Sequence, residues 1–289
     1  MDLYLIIVII MLALAVSGLV VGVANDAVNF LNSALGSKAA PRYVIMTVAS
    51  VGIIVGAITS NGMMEVARSG VFHPEMFTFA EVMLLFLAVM FTNVILLDIF
   101  NTLGMPTSTT VSLVFGLLGA AVGISIFKIA NDALVTLPDG SLATMADMIN
   151  TGNAMAIIGG ILISVVIAFV CGTVVMYITR LIFSFRYQSK LKSYGAVWCG
   201  IALTAISYFA VFKGLKGTQV IPADWMSWME GHIPMMLGGL LVGWSLIMSI
   251  LSMLKVNILR ITVLAGTFSL ALAFAGNDLV NFIGVFVAG

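Results

Sequence analysis

The sequence predicts an all-α polytopic membrane protein with about eight hydrophobic segments, and three observations carry that expectation. Of its residues 62% are hydrophobic and 8% charged, with a mean hydropathy of +1.20, whereas a soluble domain has roughly 25% charged residues. Apolar runs recur along all 289 residues, each near the ~20 residues that cross a bilayer as a helix. The basic residues also gather in alternate loops, the mark of a chain threaded back and forth through a membrane.

The first run, 3–24, follows Asp2, not a basic segment, and is too long for the apolar part of a signal peptide, so it counts as a span. Runs at 44–63 and 80–97 follow. The run at 107–127 begins in Thr and Ser, so it either crosses or re-enters. The run at 154–183 is long enough to tilt or to extend past the membrane. The remaining runs are 194–212, 234–254 and 261–288. Cys171 and Cys199 both fall inside apolar runs, where a free thiol is a small packing residue. Trp225 and Trp228, just before the span at 234, fit an interfacial aromatic belt. His73 and His232 are loop residues with no role assigned.

With one crossing per run and the N-terminus outside, the inner loops hold Lys38, Arg42, Arg180, Arg186, Lys190, Lys192, Lys255 and Arg260 and no acid. The outer loops hold Arg68, Lys128, Lys213 and Lys216 against nine acids: Asp2, Glu65, Glu75, Glu81, Asp132, Asp139, Asp147, Asp224 and Glu230. Asp26, Asp98 and Asp278 belong to neither set. The near-zero net charge therefore reports topology, and no nucleic-acid partner is expected. The chain is expected to lie in the cell (inner) membrane as one transmembrane domain over 1–289. Its parts are a first repeat over 1–127, connecting spans over 128–254 with the basic inner loop 180–192, and the start of an inverted second repeat over 255–289.

Two stretches carry the chemistry. The first is duplicated: GVANDAVNF at 22 and FAGNDLVNF at 274. Residues i and i+3 share a helix face, so Asp26 with Asn29, and Asp278 with Asn281, each form a hard-oxygen group suited to Na+. Gly22 and Gly276 offer places where a helix unwinds and lends main-chain carbonyls. The alternative is that each Asp caps a helix at the membrane surface. Duplication and the rarity of intramembrane acids favour a functional site. On the topology above the two copies run in opposite directions, as in an inverted-repeat secondary transporter with discontinuous or re-entrant helices.

The second stretch is GMPTSTTVSLVFG at 104–116. Pro106 fits the first turn of a helix, and Thr107, Ser108, Thr109 and Thr110 follow it. Free N–H groups, the positive end of the helix dipole and hydroxyl donors suit an oxyanion. Ser and Thr are also ordinary in membrane helices, where they bond back to the preceding turn. No Arg, Lys or His falls in a predicted span core, so the charge of a bound anion has to be offset by helix ends, hydroxyls and co-bound cations. That scheme predicts cation-coupled anion uptake, with Na+ preferred over H+ because the acids come with amides and no His relay. Asp98 either joins the site with Asn101 or marks the inner membrane surface, the second reading being preferred.

GVANDAVNF resembles the Gly-Ala-Asn-Asp-Val-Ala-Asn signature of the inorganic phosphate transporter family, GMPTSTT resembles its Gly-Leu-Pro-Val-Ser-Thr-Thr segment, and AGNDLVNF resembles the start of its second repeat. The resemblance runs over the whole chain. It implies symport of phosphate with Na+, or with H+ in some members, and no enzymatic activity or resident cofactor. It carries substrate contacts onto Asn25, Ser108, Thr109, Thr110 and Asn277, and cation contacts onto Asp26, Asn29, Asp278 and Asn281, with Na+ at Asp26 and Asp278; Thr107 is added as a substrate contact from the hydroxyl run alone. The order A-V-N replaces V-A-N, and Thr107 replaces a common Val. The sequence ends at Gly289 before a second Pro-Ser-Thr-Thr segment, so an incomplete second repeat is expected. Sulfate remains an alternative oxyanion. An intramembrane aspartyl protease also uses two membrane Asp residues, but it leaves the Asn residues and the Thr/Ser segment unexplained. A non-transporting membrane scaffold is a third reading, and a homo-oligomer is left open.

Overall fold

The structure, a computed structural model, describes residues 3–59, 70–133, 136–137, 140–184, 187–214 and 222–277. Among these residues there are ten α-helices and no strand beyond two isolated bridges. They are α1 (Leu3–Gly36), α2 (Arg42–Thr59), α3 (Phe79–Thr102), α4 (Thr109–Ala130), α5 (Met145–Met148), α6 (Thr151–Ile182), α7 (Tyr187–Phe209), α8 (Ala223–Gly231), α9 (Ile233–Met253) and α10 (Ile258–Asn277). Eight of them, all but α5 and α8, are long and apolar enough to cross a membrane. The fold class and the eight segments expected from the sequence are therefore present.

Three boundaries differ in ways that matter. The first run stops at Ala24, where polar residues begin, but α1 continues to Gly36 and spans about 51 Å at 1.5 Å per residue. It runs unbroken through Gly22, so this copy of the motif sits inside a regular helix and not at an unwound point. Asp26 is ten residues from the end of α1, and the capping alternative does not describe it. The second difference is α4, which starts at Thr109 with Ser108 as its N-cap. Pro106 thus lies in the connection and not in a first turn. At 22 residues, or about 33 Å, α4 can cross the membrane. Thirdly, α7 begins at Tyr187, so Lys190 and Lys192 ride on a helix and not in a loop.

The chain divides into two compact units, Met1–Asp26 with Gly62–Val165 and Asn277–Gly289, and Ala27–Asn61 with Val166–Gly276. The core of the first unit is apolar. Met11 and Ala15 of α1, Leu85, Phe86 and Val89 of α3, and Leu113, Val114 and Leu117 of α4 pack with Phe72 from a connection and Met148 of α5. Helices α3 and α4 are its main antiparallel pair. In the second unit α7 packs along α9, with Cys199, Leu203, Met248 and Ile258 at the centre. Gly52 and Gly56 of α2 let α10 approach closely. A β-carbon at Gly52 would lie 2.6 Å from the Phe268 carbonyl oxygen, and one at Gly56 would collide with the Leu272 carbonyl. Small residues one turn apart are how membrane helices bring backbones together. Cys199 packs as expected, but Cys171 is exposed on α6; both are free thiols. Trp225 and Trp228 are exposed on α8, as an aromatic belt requires.

Candidate functional site

The site in the first unit is built where α3 ends and α4 begins. Gly104 adopts φ +68, a conformation open to glycine at little cost. The Met105 amide then donates to the Phe100 carbonyl (2.9 Å), and the Gly104 amide to the Asn101 carbonyl (3.0 Å). These paired bonds close α3 in a Schellman motif. Pro106 follows, at a position where the helix cannot continue. Ser108, in extended conformation, accepts from the Val111 amide through Oγ (3.3 Å) and starts α4. A hydroxyl that accepts still has its proton to donate. Thr109 is buried, Thr107 and Thr110 are half-buried, and Ser108 is exposed. The four hydroxyls therefore surround a helix N-terminus whose first-turn amides have no intrahelical acceptor.

Asn25 of α1 holds this loop. Its Nδ2 donates to Asn101 Oδ1 (2.7 Å) and to the Met105 carbonyl (3.3 Å), while its Oδ1 accepts from the Thr107 amide (2.8 Å). Asn101 Nδ2 in turn donates to the Val21 carbonyl on α1 (2.9 Å). Asn25 is 4% exposed, and burial without these partners would be costly. A carboxamide has two N–H donors, and both are used within the protein. Asn25 thus shapes the N-terminal end of α4. The sequence weighed Asp98 and Asn101 together; the structure separates them. Asn101 joins the network, and Asp98, one turn earlier on α3, is exposed.

Asp26 is also 4% exposed. Asn29, one turn on, is exposed, and Phe30 beside it is buried. Within the second unit Phe30 packs against Phe274, the rings tilted by 35° with centroids 5.4 Å apart. The last residue of the first motif therefore touches the first residue of the second. Asn277 ends α10, but its side chain lies outside the described residues, as do Asp278 and Asn281.

Two polar contacts were missed from sequence. Ser112 Oγ donates to Asn93 Oδ1 (2.5 Å), bridging α4 to α3 within the apolar core. The available signal was a lone Asn inside the otherwise apolar run 80–97. At the far end of the same helix pair, Lys128 sits in the last turn of α4 and is 2% exposed. Its Nζ donates to Glu81 Oε2 (2.9 Å) and to the Met76 carbonyl (3.1 Å), and lies 5.6 Å from the Phe77 ring centroid. The sequence put Lys128 in an outer loop; it is instead inside a helix with its charge paired. Glu81 also closes a capping box at the start of α3, accepting from the Thr78 amide at 2.7 Å.

Residues 22–289 match the phosphate transporter family. A curated protein of Thermococcus kodakarensis named "Putative phosphate permease" is 25% identical over 200 residues, which are 68% of this chain and 45% of that protein. A solved structure titled "The sodium-dependent phosphate transporter" superposes with a TM-score of 0.67 at 18% identity, over 98% of this chain and 66% of that one. The chain thus spans about half the length of the curated relative it matches, and two thirds of the solved one.

Proposed function

This chain belongs to the phosphate transporter family, and on that premise we propose that it carries inorganic phosphate across a membrane by symport with a cation, Na+ being preferred to H+. The observation that carries the reading is the tie between α1 and the anion end of α4: Asn25, next to the buried Asp26, holds the Thr107 amide at 2.8 Å. Thr107, Ser108, Thr109 and Thr110 supply donors to the phosphate oxygens, and Asn25 secures the loop that presents them. Asn277 of the second motif is assigned to the same anion. Asp26 with Asn29, and Asp278 with Asn281, hold the coupling cations. The name of the solved relative adds support for Na+.

The electrostatic logic follows from what surrounds the loop. An anion there meets N–H dipoles and hydroxyls, each contributing modestly, while the nearby Asp26 repels it until a cation neutralises the carboxylate. Cation binding is thereby a condition for anion binding, which is the thermodynamic content of coupling. The basic residues of the loops after α1, α6 and α9 support an N-terminus outside the cell membrane.

The test is labelled phosphate uptake into proteoliposomes with and without an inward Na+ gradient. Asp26→Asn removes the charge while keeping shape, and uptake is expected to fall at least tenfold and to lose its response to the gradient. Uptake that ignores both the gradient and the substitution would sink the coupled mechanism. Competition by excess sulfate decides between the two tetrahedral oxyanions.

A further inference from the structure

We propose that Asn101 is a positioning residue: acting through Asn25, it fixes the orientation of the loop that presents the N-terminal donors of α4. Its functional meaning rests on the transport reading above; the contact itself does not. The orientation is set by a group that cannot rotate. The Val21 carbonyl is part of the α1 backbone and can only accept, so the Asn101 group facing it at 2.9 Å is the NH2. That places Asn101 Oδ1 toward Asn25 at 2.7 Å. An oxygen there requires a donor, so Asn25 presents Nδ2 on that side, and its Oδ1 is left facing the Thr107 amide at 2.8 Å. Turning the Asn25 amide over would set N–H against N–H at Thr107, and oxygen against oxygen at both Asn101 and Met105. One main-chain carbonyl on α1 therefore dictates, through two carboxamides, where the Thr107 amide points.

The relay has a mechanical consequence. Val21 and Asn25 lie one turn apart on α1, and Asp26 is the next residue. Asn101 lies in the last turn of α3 and is the anchor that ties this turn to the loop 103–108. Without it, Asn25 keeps only the longer bond to Met105 (3.3 Å) and the bond from Thr107. The turn carrying the candidate cation ligand would then hold the anion end of α4 less tightly.

The sequence reading considered Asn101 only as a ligand alongside Asp98. The geometry gives it a different role, because its oxygen and one N–H are committed to protein partners. It does not touch the anion; it decides where the groups that do touch it stand.

The experiment compares the full chain with Asn101→Leu, Asn101→Asp and the control Asp98→Asn, an exposed residue on the same helix. Two readouts are used: hydrogen exchange of peptides covering 103–110, and the phosphate KM and Vmax of uptake. One hydrogen bond is typically worth ~1 kcal/mol, or about fivefold in a population. Asn101→Leu is therefore expected to speed loop exchange about fivefold and to raise the phosphate KM by a similar factor, with Vmax within about twofold. Asn101→Asp keeps an acceptor for Asn25 Nδ2 but sets an oxygen against the Val21 carbonyl, so its exchange is expected to stay fast, and exchange as slow as the parent's would overturn the relay from Val21. Asp98→Asn is expected to match the parent chain in both.

Equal exchange in Asn101→Leu and the parent overturns the proposal. So does faster exchange with an unchanged phosphate KM, because Asn101 would then hold the loop without serving the anion. If the parent chain takes up no phosphate, the transport reading is what fails. Exchange then still decides whether Asn101 locks the loop.

Discussion

The two ends of the α3–α4 pair are held by opposite chemistry. At one end the buried Lys128 pairs with the partly exposed Glu81, with a main-chain carbonyl and an aromatic ring around the ammonium. At the other end α1, α3 and the loop before α4 are joined by two neutral carboxamides. Both ends are satisfied, but they differ in what they offer a passing anion. A fixed ammonium at the amide end would bind phosphate without waiting for a cation and would slow its departure. On the proposed transport reading, carboxamides, hydroxyls and amide dipoles attract the anion weakly enough for release, and leave the balance of charge to the cation assigned to Asp26. On that reading, the difference teaches that fixed charge in this unit lies at the end to which no ligand is assigned and is absent from the end to which the anion is assigned.

The largest expected effect comes from breaking the charged end. Glu81→Ala leaves Lys128 buried with only the Met76 carbonyl and the Phe77 ring, and it also removes a capping box. Lys128 stays buried, and stranding a buried charge without its partner costs about 3 kcal/mol. The thermal midpoint in detergent is expected to drop by several degrees or more. The double variant Glu81→Gln/Lys128→Met keeps the cap and the packing and removes both charges, so it is expected to recover most of the loss. Its phosphate KM is expected to match the parent's, because the proposed function assigns no ligand to this end. A Glu81→Ala protein as stable as the parent, or a double variant with altered KM, would erase the contrast between the ends.

The amide end is the second place to break it. Asn25→Ala removes the bonds to Asn101, Met105 and Thr107 at once and leaves a buried hole. The expected cost is about 2 kcal/mol, smaller than at the charged end because every group left behind is neutral. Uptake should fall at least tenfold all the same, since the loop is no longer placed. The comparison thus predicts an inverted ranking: Glu81→Ala hurts stability more, and Asn25→Ala hurts transport more. Measuring midpoint and uptake on both variants decides it, and the same order in both measurements would sink the distinction.

How much of this was legible in the sequence follows the same division. The eight spans were visible because length and hydropathy are local properties. The ends were not, because polar residues in a membrane helix are tolerated when tertiary partners satisfy them. Asn25 and Asp26 look like the end of a span until Asn101, 76 residues away, is known to meet Asn25. Lys128 looked like a loop residue for the same reason: its partner Glu81 lies 47 residues back. The hydroxyl cluster was legible as a donor set from Gly104 to Thr110, because turn and cap residues act on their neighbours. The role of Asn101 was not, since an Asn three residues after an Asp on an apolar helix says nothing of which one turns inward.

The smallest effect probes the turn that lets the two helices meet at the amide end. Gly104 sits at φ +68 with open space around it, so a β-carbon there would touch nothing within 4 Å. The cost of Gly104→Ala is therefore backbone strain alone, about 1 kcal/mol, and no packing is lost. Because the Schellman bonds of Met105 and Gly104 fix the same loop that Asn25 holds, part of that strain should appear as a shift of the Thr107 amide. The expected result is a midpoint lowered by a few degrees with a phosphate KM raised two- to threefold. A β-carbon that lowers the midpoint and leaves KM untouched would mean that the carboxamides alone place the loop. The amide end would then be held more firmly than its neutral chemistry implies.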